Sequence, residues 1–393
     1  MHFETSITAS DNSGISDGFI LLYCFFWMAP DRSFSEQENR SLSMLPAFSA
    51  RSLFSGEYTE QINDYFADQF PLRDFLVSQK ARIELLLGKG ENNGILLGEG
   101  GALARRLSDV LCAEGTVMPD CDFYDVDHVD RSLEALTNVS SRLDVPFTVL
   151  LTGRNIDVSD AAFSYPTDFS DRLYQQIERV LGADCLTLKV RSHLRSCFAA
   201  GEEVYYRTDH HWTTLGAYRV YCDLLASFGM ADEILSEAEF DKVVVSNRFL
   251  GTLWSAVGGY PVEPDTIEIW RSDRSSEYEI FADGKELDDF YNLAFLGKKD
   301  QYSLFLDGTH DVVTISKKGE ADRPRLLLFK DSFANSLAPF LAEHFDLVLL
   351  NLSSSRRDFF DVSKLALEYE ADRVLLLYTV ENMITADRLC RMF

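Results

Sequence analysis

Two segments carry residue types suited to nucleophilic catalysis. The first is Tyr205-Tyr206-Arg207-Thr208-Asp209-His210-His211-Trp212-Thr213-Thr214-Leu215-Gly216, which runs into a helical pattern with Tyr218, Val220, Tyr221 and Leu225 as its apolar members. On an extended segment, side chains two residues apart share a side, so Asp209 can hold the His211 imidazole in one tautomer. That is the base half of a triad. A hydroxyl is hardly ionised at neutral pH and needs such a base, which in turn needs a third group to orient it. The nucleophile candidate is Ser332 in Leu328-Phe329-Lys330-Asp331-Ser332-Phe333-Ala334-Asn335, where an apolar strand turns into a helix. The junction exposes a hydroxyl at the carboxyl edge of a sheet and directs helix-start N–H groups near Phe333 at a developing oxyanion. Strand, sharp turn and helix are the mechanics of a nucleophile elbow, here without its flanking glycines.

Each piece also has a plainer reading. Ser332 can be the N-cap of its helix. Asp209, His210 and His211 can be a metal site, but adjacent histidines on a strand face opposite ways and no third ligand stands at motif spacing, so no metal is expected. His211 can also be a buried, hydrogen-bonded histidine beside a structural Trp212.

These residues need a sheet to position them. Leu326 to Phe329, Leu347 to Leu350 and Val374 to Tyr378 read as strands, with helices over Phe333 to His344 and Val362 to Tyr369 between them. Short continuous apolar runs of this kind are what strands covered on both faces require. Upstream, Leu133, Leu136 and Leu143 mark a helix before a strand at Pro146 to Leu151. Leu173, Ile177 and Val180 mark another before a strand at Leu186 to Val190. The alternation predicts an α/β fold, helices flanking a mainly parallel sheet. Residues 240–323 carry β-like pieces (Val243 to Val245, Thr266 to Ile269, Tyr278 to Phe281, Val312 to Ile315) and read as a β-rich insertion. Gly94-Ile95-Leu96-Leu97-Gly98 reads as a short strand and turn opening the main domain, residues 91–393. Before it, residues 31–56 read as an extended stalk and Tyr58 to Lys89 as helical, so 31–90 is a stalk with pre-domain helices.

The chain has 393 residues, 46% of them hydrophobic, which excludes disorder and coiled coil. Lys plus Arg number 37 against 63 Asp plus Glu, a net charge of −26. With no basic patch in view, a nucleic-acid partner is not expected. Seven cysteines (24, 112, 121, 185, 197, 222, 390) contain no CxxC, so buried thiols are expected, with a Cys112–Cys121 bridge as the alternative. The run Phe19 to Met28, then Ala29 and Pro30, is too short to span a bilayer comfortably and follows Glu4, Asp11 and Asp17 rather than basic residues. Within the tail 1–30 it stands as an anchor, a leader or a packed hydrophobic arm.

Thr208-Asp209-His210-His211-Trp212 resembles the signature of the DHHW proteins, which look like relatives of the alginate-acetylation proteins of bacterial exopolysaccharide systems. Similar stretches are Phe66-Ala67-Asp68-Gln69-Phe70-Pro71-Leu72-Arg73-Asp74, Leu97-Gly98 to Leu103, and Phe249-Leu250-Gly251-Thr252-Leu253. The resemblance implies an SGNH-hydrolase-like domain in which Asp209 is the orienting acid, His211 the base and Ser332 the nucleophile. It implies transfer of acetyl groups to hydroxyls of a cell-surface or exported polysaccharide, with no cofactor. It implies too a membrane acyltransferase partner supplying acetyl, and attachment outside the cytoplasmic membrane. The chain departs from the pattern after Leu151, with Thr152-Gly153-Arg154-Asn155, and after Leu350, with Asn351-Leu352-Ser353-Ser354-Ser355. Asn155 can supply an oxyanion donor, as the Asn of an SGNH site does, or be a turn residue. Arg154 and Arg207 can meet sugar carboxylates or stay solvated. An esterase or deacetylase with the same triad, and a non-catalytic glycan-binding scaffold, are the alternatives.

Overall fold

A computed structural model describes Met28 and residues 30–105, 126–159, 162–163, 168–274, 277–320, 322–353, 359–386 and 388–393. The apolar run from Phe19, Met28 apart, and the Cys112 and Cys121 pair lie outside these residues. The chain divides into two compact units, one reaching Gly88 and taking in Gly258–Tyr260, the other running Lys89–Val257 and Pro261–Phe393.

In the first unit, β1 (Phe34–Ser35) and β2 (Arg40–Ser41) form a hairpin, followed by α1 (Ala50–Ser55), α2 (Glu57–Asp68) and α3 (Arg73–Leu86). The hairpin overturns the extended stalk over 31–56. Charge is the reason: Arg40 donates to both oxygens of Asp68, Arg32 lies 2.7 Å from Asp74, and Arg73 pairs with Glu38. The unit leaves large apolar side chains exposed, among them Phe54, Phe66, Leu72, Phe75, Leu86 and Leu87. Among the described residues, no helix is long and apolar enough to cross a membrane.

The second unit opens with β3 (Glu91–Asn92), β4 (Ile95–Leu97) and β5 (Leu103–Arg105). Then come α4 (Val126–Arg142), β6 (Phe147–Thr152), α5 (Asn155–Val158), α6 (Asp168–Leu181), α7 (Thr187–Ala199), α8 (Thr214–Ser227), β7 (Asp241–Phe249), α9 (Thr252–Ala256) and β8 (Asp265–Arg271). It continues with β9 (Tyr278–Ala282), β10 (Lys285–Leu287), β11 (Val312–Lys317), β12 (Arg325–Lys330), α10 (Ala334–Ala342), β13 (Asp346–Asn351), α11 (Val362–Glu368), β14 (Arg373–Thr379) and α12 (Val380–Thr385). Seven strands build the main sheet in the order β10-β9-β11-β13-β12-β14-β6.

The sheet divides two cores by the two-residue period of its strands. Leu326 and Leu328 of β12, with Leu375 and Leu377 of β14, enter one core beneath α8 and α10. Leu327 and Phe329, with Val374, Leu376 and Tyr378, enter the other beneath α4, α6 and α11. Both faces are therefore apolar, and the four strands β6, β14, β12 and β13 run parallel as buried strands do. The remaining three, β11, β9 and β10, pair antiparallel, so the sheet is mixed. Residues 240–323 are accordingly not one separate β piece: β9 to β11 extend the main sheet, and β7 with β8 form a two-stranded ribbon. Leu186 to Val190 is a second correction. It enters helix α7, whose Val190, Leu194 and Cys197 recur at helical spacing in the core, and a single bridge from Cys185 to Val149 is what remains of the strand.

From β12 the chain crosses to β13 on one side, then returns to β14 on the other. This reversal opens a crevice at the carboxyl ends of β12 and β14, where α/β sheets bind ligands.

Candidate functional site

Ser332 sits in the turn between β12 and α10, half-buried at that crevice. The turn is pinned by the residue before it. Asp331 Oδ1 accepts the Phe333 N–H at 3.1 Å, and its Oδ2 accepts the Thr379 N–H at 2.8 Å and the Asn382 amide at 3.0 Å. Burial pushes the Asp331 carboxyl up, opposed by these donors. The Phe333 amide is thus spent on Asp331, which removes it as an oxyanion donor; the Phe333 side chain instead lines the crevice.

The segment 205–212 is a tight turn closed by a bridge between Tyr205 and Trp212 and a bond from Tyr206 N to His211 O at 3.1 Å. Asp209 Oδ1 accepts both the His211 N–H, at 3.0 Å, and His211 Nδ1 at 2.6 Å. His211 Nε2 lies 2.7 Å from Ser332 Oγ. Asp209, His211 and Ser332, the last two 121 positions apart, therefore form one hydrogen-bonded line. Asp209 Oδ2 accepts the Thr252 N–H at 2.7 Å and the Thr252 hydroxyl at 3.0 Å. Burial alone would raise the Asp209 carboxyl, but His210, His211 and these donors overcome it and hold the group well below the usual carboxylate range. The carboxylate fits because residue 251 is glycine: a β-carbon there would lie 2.3 Å from Asp209 Cβ and Oδ2.

Because the segment turns, adjacent histidines do not diverge. The His210 and His211 rings lie 3.9 Å apart and 36° from parallel, contrary to the strand argument. The potential ligand atoms of Asp209, His210 and His211 fall within 4.8 Å of one another. Both His211 nitrogens and both Asp209 oxygens are already hydrogen-bonded, however, in the connectivity of an acid, base and hydroxyl.

The crevice is a cavity of about 290 Å³ bordered by Arg105, Gly153, Asn155, His210, Ser332 and Glu381, among others. That is near the lower end of small-molecule pockets, ~300–1,000 Å³. The backbone N–H groups of Ser332 and Gly153, both in its wall, have no hydrogen-bond partner among the described residues. Asn155 is in the wall; its amide donates to Leu103 O and its Oδ1 accepts the Ile156 N–H at 2.8 Å. Arg154 is also in the wall, with its guanidinium on both oxygens of Asp157 at 2.9 and 3.0 Å. Arg207 is not in it. Its guanidinium is held by Asp265 and the Pro264 carbonyl, because Asp265 is the buried acceptor for the whole Arg207-Thr208 turn. Trp212 is fully buried and donates to Ser336 Oγ at 2.9 Å, a packing role rather than a substrate contact. Cys185, Cys197, Cys222 and Cys390 are free thiols.

Two supporting residues escaped the sequence reading. Tyr302 stacks on His211 at 3.7 Å with 8° between planes, and its hydroxyl meets Ser336 Oγ at 3.0 Å. Thr252 bridges Asp209 and His210. Nothing in local sequence marks Tyr302, whereas Gly251-Thr252 sits in a stretch already similar to relatives.

A family profile described as DHHW protein matches residues 164–351, a span containing Asp209, His211 and Ser332. Over residues 164–351 the chain is thus similar to the DHHW family. A solved DHHW family protein from Eubacterium siraeum shares 16% identity over 76% of this chain and 95% of its own, with a TM-score of 0.54. Bacillus cereus PatB1 shares 18% identity over 75% of this chain and 98% of its own, at 0.58, and has also been solved with a sulfonyl adduct. The O-acetyltransferase domain of Pseudomonas putida AlgJ aligns over 75% of this chain and 93% of its own at 12% identity and 0.43, too loose a likeness to argue from. No curated protein matches the chain. The chain thus shares its fold with PatB1 and the Eubacterium protein.

Proposed function

We propose that this protein is an SGNH-type O-acyltransferase that moves acetyl groups onto hydroxyls of a cell-surface or exported polysaccharide through acyl-Ser332. The observation that carries the reading is the line Asp209–His211–Ser332, with contacts of 2.6 and 2.7 Å. His211 Nε2 takes the Ser332 proton as Oγ attacks the acetyl carbonyl. The oxyanion is received by the N–H groups of Ser332 and Gly153, a preorganised pair whose removal typically costs 10²–10³-fold per donor. The donor's leaving oxygen takes the proton from His211 and departs, leaving an ester on Ser332. A sugar hydroxyl then gives its proton to His211, attacks the ester carbonyl, and Ser332 Oγ leaves reprotonated. Asp209 stays ionised throughout and stabilises the imidazolium.

Acyl transfer, rather than another ester reaction, rests on the resemblance to the alginate-acetylation proteins. The same resemblance is what supports a membrane acyltransferase as acetyl source and a place outside the cytoplasmic membrane. The exposed apolar side chains of the first unit suit contact with such surroundings. Incubation with p-nitrophenyl acetate followed by peptide mass spectrometry tests the core of the reading: acetyl is expected on the Ser332 peptide and absent in Ser332→Ala. A wild-type protein that releases no nitrophenol and carries no acetyl there would overturn it. If acetyl-Ser332 passes to water but to no alcohol, the protein is an esterase.

A further inference from the structure

His210 takes part in no step above, yet it lines the same cavity as Ser332 and its side chain is 38% exposed. Proton bookkeeping fixes its tautomer. The Thr252 hydroxyl has one hydrogen and two neighbours, Asp209 Oδ2 at 3.0 Å and His210 Nδ1 at 2.8 Å. A carboxylate can only accept, and it is the stronger acceptor, so the hydroxyl hydrogen goes to Asp209. Thr252 Oγ1 must then accept from His210, which places the imidazole hydrogen on Nδ1 and a lone pair on Nε2. Burial and the neighbouring His211 push the His210 pKa below its ordinary value, which keeps the ring neutral at pH 7. Nε2 has no partner among the described residues and is not among the buried, unsatisfied atoms.

Once Ser332 is acylated it no longer donates to His211. Two adjacent imidazoles, 3.9 Å apart and 36° from parallel, then each carry an Nε2 acceptor beside the acylated serine. One takes the proton of the attacking hydroxyl. We infer that His210 selects the acceptor: its Nε2 accepts a hydrogen bond from the hydroxyl next to the attacking one, so the acceptor class is a vicinal diol, as on a sugar ring. This rests on the acyl-transfer reading above. A monohydric alcohol fills one of the two positions and leaves the other empty.

The test gives the full-length protein p-nitrophenyl acetate with an equimolar mixture of trans-1,2-cyclohexanediol and cyclohexanol at pH 7.5, and measures the ratio of acetylated products. The ratio does not depend on how much of the enzyme is folded or acylated. Per hydroxyl, wild type is expected to favour the diol about five- to tenfold, the worth of one neutral hydrogen bond. His210→Leu should bring the ratio to about one, and His210→Gln, which keeps an acceptor oxygen at that reach, should restore most of the preference. Acetyl-Ser332 forming normally with no diol preference in wild type, or with a preference that survives in His210→Leu, overturns the assignment. Absence of acetyl-Ser332 in wild type instead overturns the acyl-transfer reading, and this one falls with it.

Discussion

Substituting Gly251 by alanine adds one methyl group outside the reacting line, and its effect can be worked out from the geometry. The new β-carbon would lie 2.3 Å from Asp209 Cβ and Oδ2 and 2.7 Å from Cγ. Carbon atoms in contact sit ~3.5–4.0 Å apart, so Asp209 or the start of α9 must yield by more than ~1 Å. Asp209 holds His211 Nδ1 at 2.6 Å and accepts the Thr252 amide at 2.7 Å. A withdrawal of that size carries both past hydrogen-bonding range. A misplacement of this order costs at least ~10²-fold, and losing the imidazole's orientation altogether costs up to ~10⁴-fold. The expected fall in kcat/KM is therefore about 10²–10⁴-fold, or roughly 3–5 kcal/mol at ~1.4 kcal/mol per decade. Overpacking should destabilise the fold by about 1–3 kcal/mol, which leaves a folded protein to assay. The measurements are kcat/KM on p-nitrophenyl acetate, the rate of Ser332 modification by an aryl sulfonyl fluoride, and thermal melting. Gly297→Ala is the control, since nothing lies within 4 Å of a β-carbon there. Wild-type kinetics in Gly251→Ala would refute the claim that Asp209 orients the base from this position.

Lys330 is fully buried with its ammonium on Asn335 Oδ1, and burial pushes its pKa down to about 8. The unfolded chain, titrating near ~10.4, binds more protons between pH 8 and 10, so stability should rise with pH across that window by up to about 3 kcal/mol. Urea denaturation at pH 7.5 and 10 checks this, and Lys330→Met should flatten the slope; equal slopes would sink it. His344, whose Nε2 lies 2.8 Å from the Tyr221 hydroxyl, is pushed down to about 4 by burial. Its folded pKa lies below the unfolded ~6.5, so stability should fall as pH drops from 6.5 towards 4, by up to about 3 kcal/mol. The drop in melting temperature between pH 7 and 5 should be smaller in His344→Gln, and an unchanged drop would refute the assignment. Tyr302→Phe keeps the ring on His211 and should retain most activity, whereas Tyr302→Ala removes the stack and should lower kcat about tenfold, an aromatic contact being worth ~0.5–1.5 kcal/mol. Equal activity of the two variants would mean that the stack does not hold the base.

What was legible in the sequence is what local pattern decides. The strands β12, β13 and β14 announce themselves because each is apolar on both faces, and Ser332 stands in the polar stretch Lys330-Asp331-Ser332 that ends such a run. The 2.6 Å contact of Asp209 with His211 has a different origin from the strand geometry. An extended strand was assumed; the real segment is a turn in which Asp209 captures the His211 backbone as well as the ring. The same error hid His210, which a strand would have sent to the opposite face. Tertiary choices were out of reach. Leu186 to Val190 has an apolar pattern suiting strand or helix, and packing of Leu194 and Cys197 decides for helix. Strands β9 to β11 show their type in sequence but not that they pair with β13 through β11. Tyr302 reaches His211 across about ninety positions and has no local signature.

The two aspartates of the site illustrate how environment divides labour between identical groups. Both are buried, and burial pushes both carboxyls up. At Asp209 two imidazoles and the Thr252 donors reverse the push, so the group stays a fixed anion beside a ring that must become cationic in each half-reaction. Asp331 has three N–H donors but no imidazole, and its carboxyl remains raised. Its oxygens are used to tie the turn bearing Ser332 to the end of β14 and the start of α12. The carboxylate next to the nucleophile in sequence therefore builds the elbow, while the one more than a hundred residues away tunes the base. Exchanging their roles would need the imidazole pair to move with the charge, because it is the imidazoles, and not the distance along the chain, that hold Asp209 ionised.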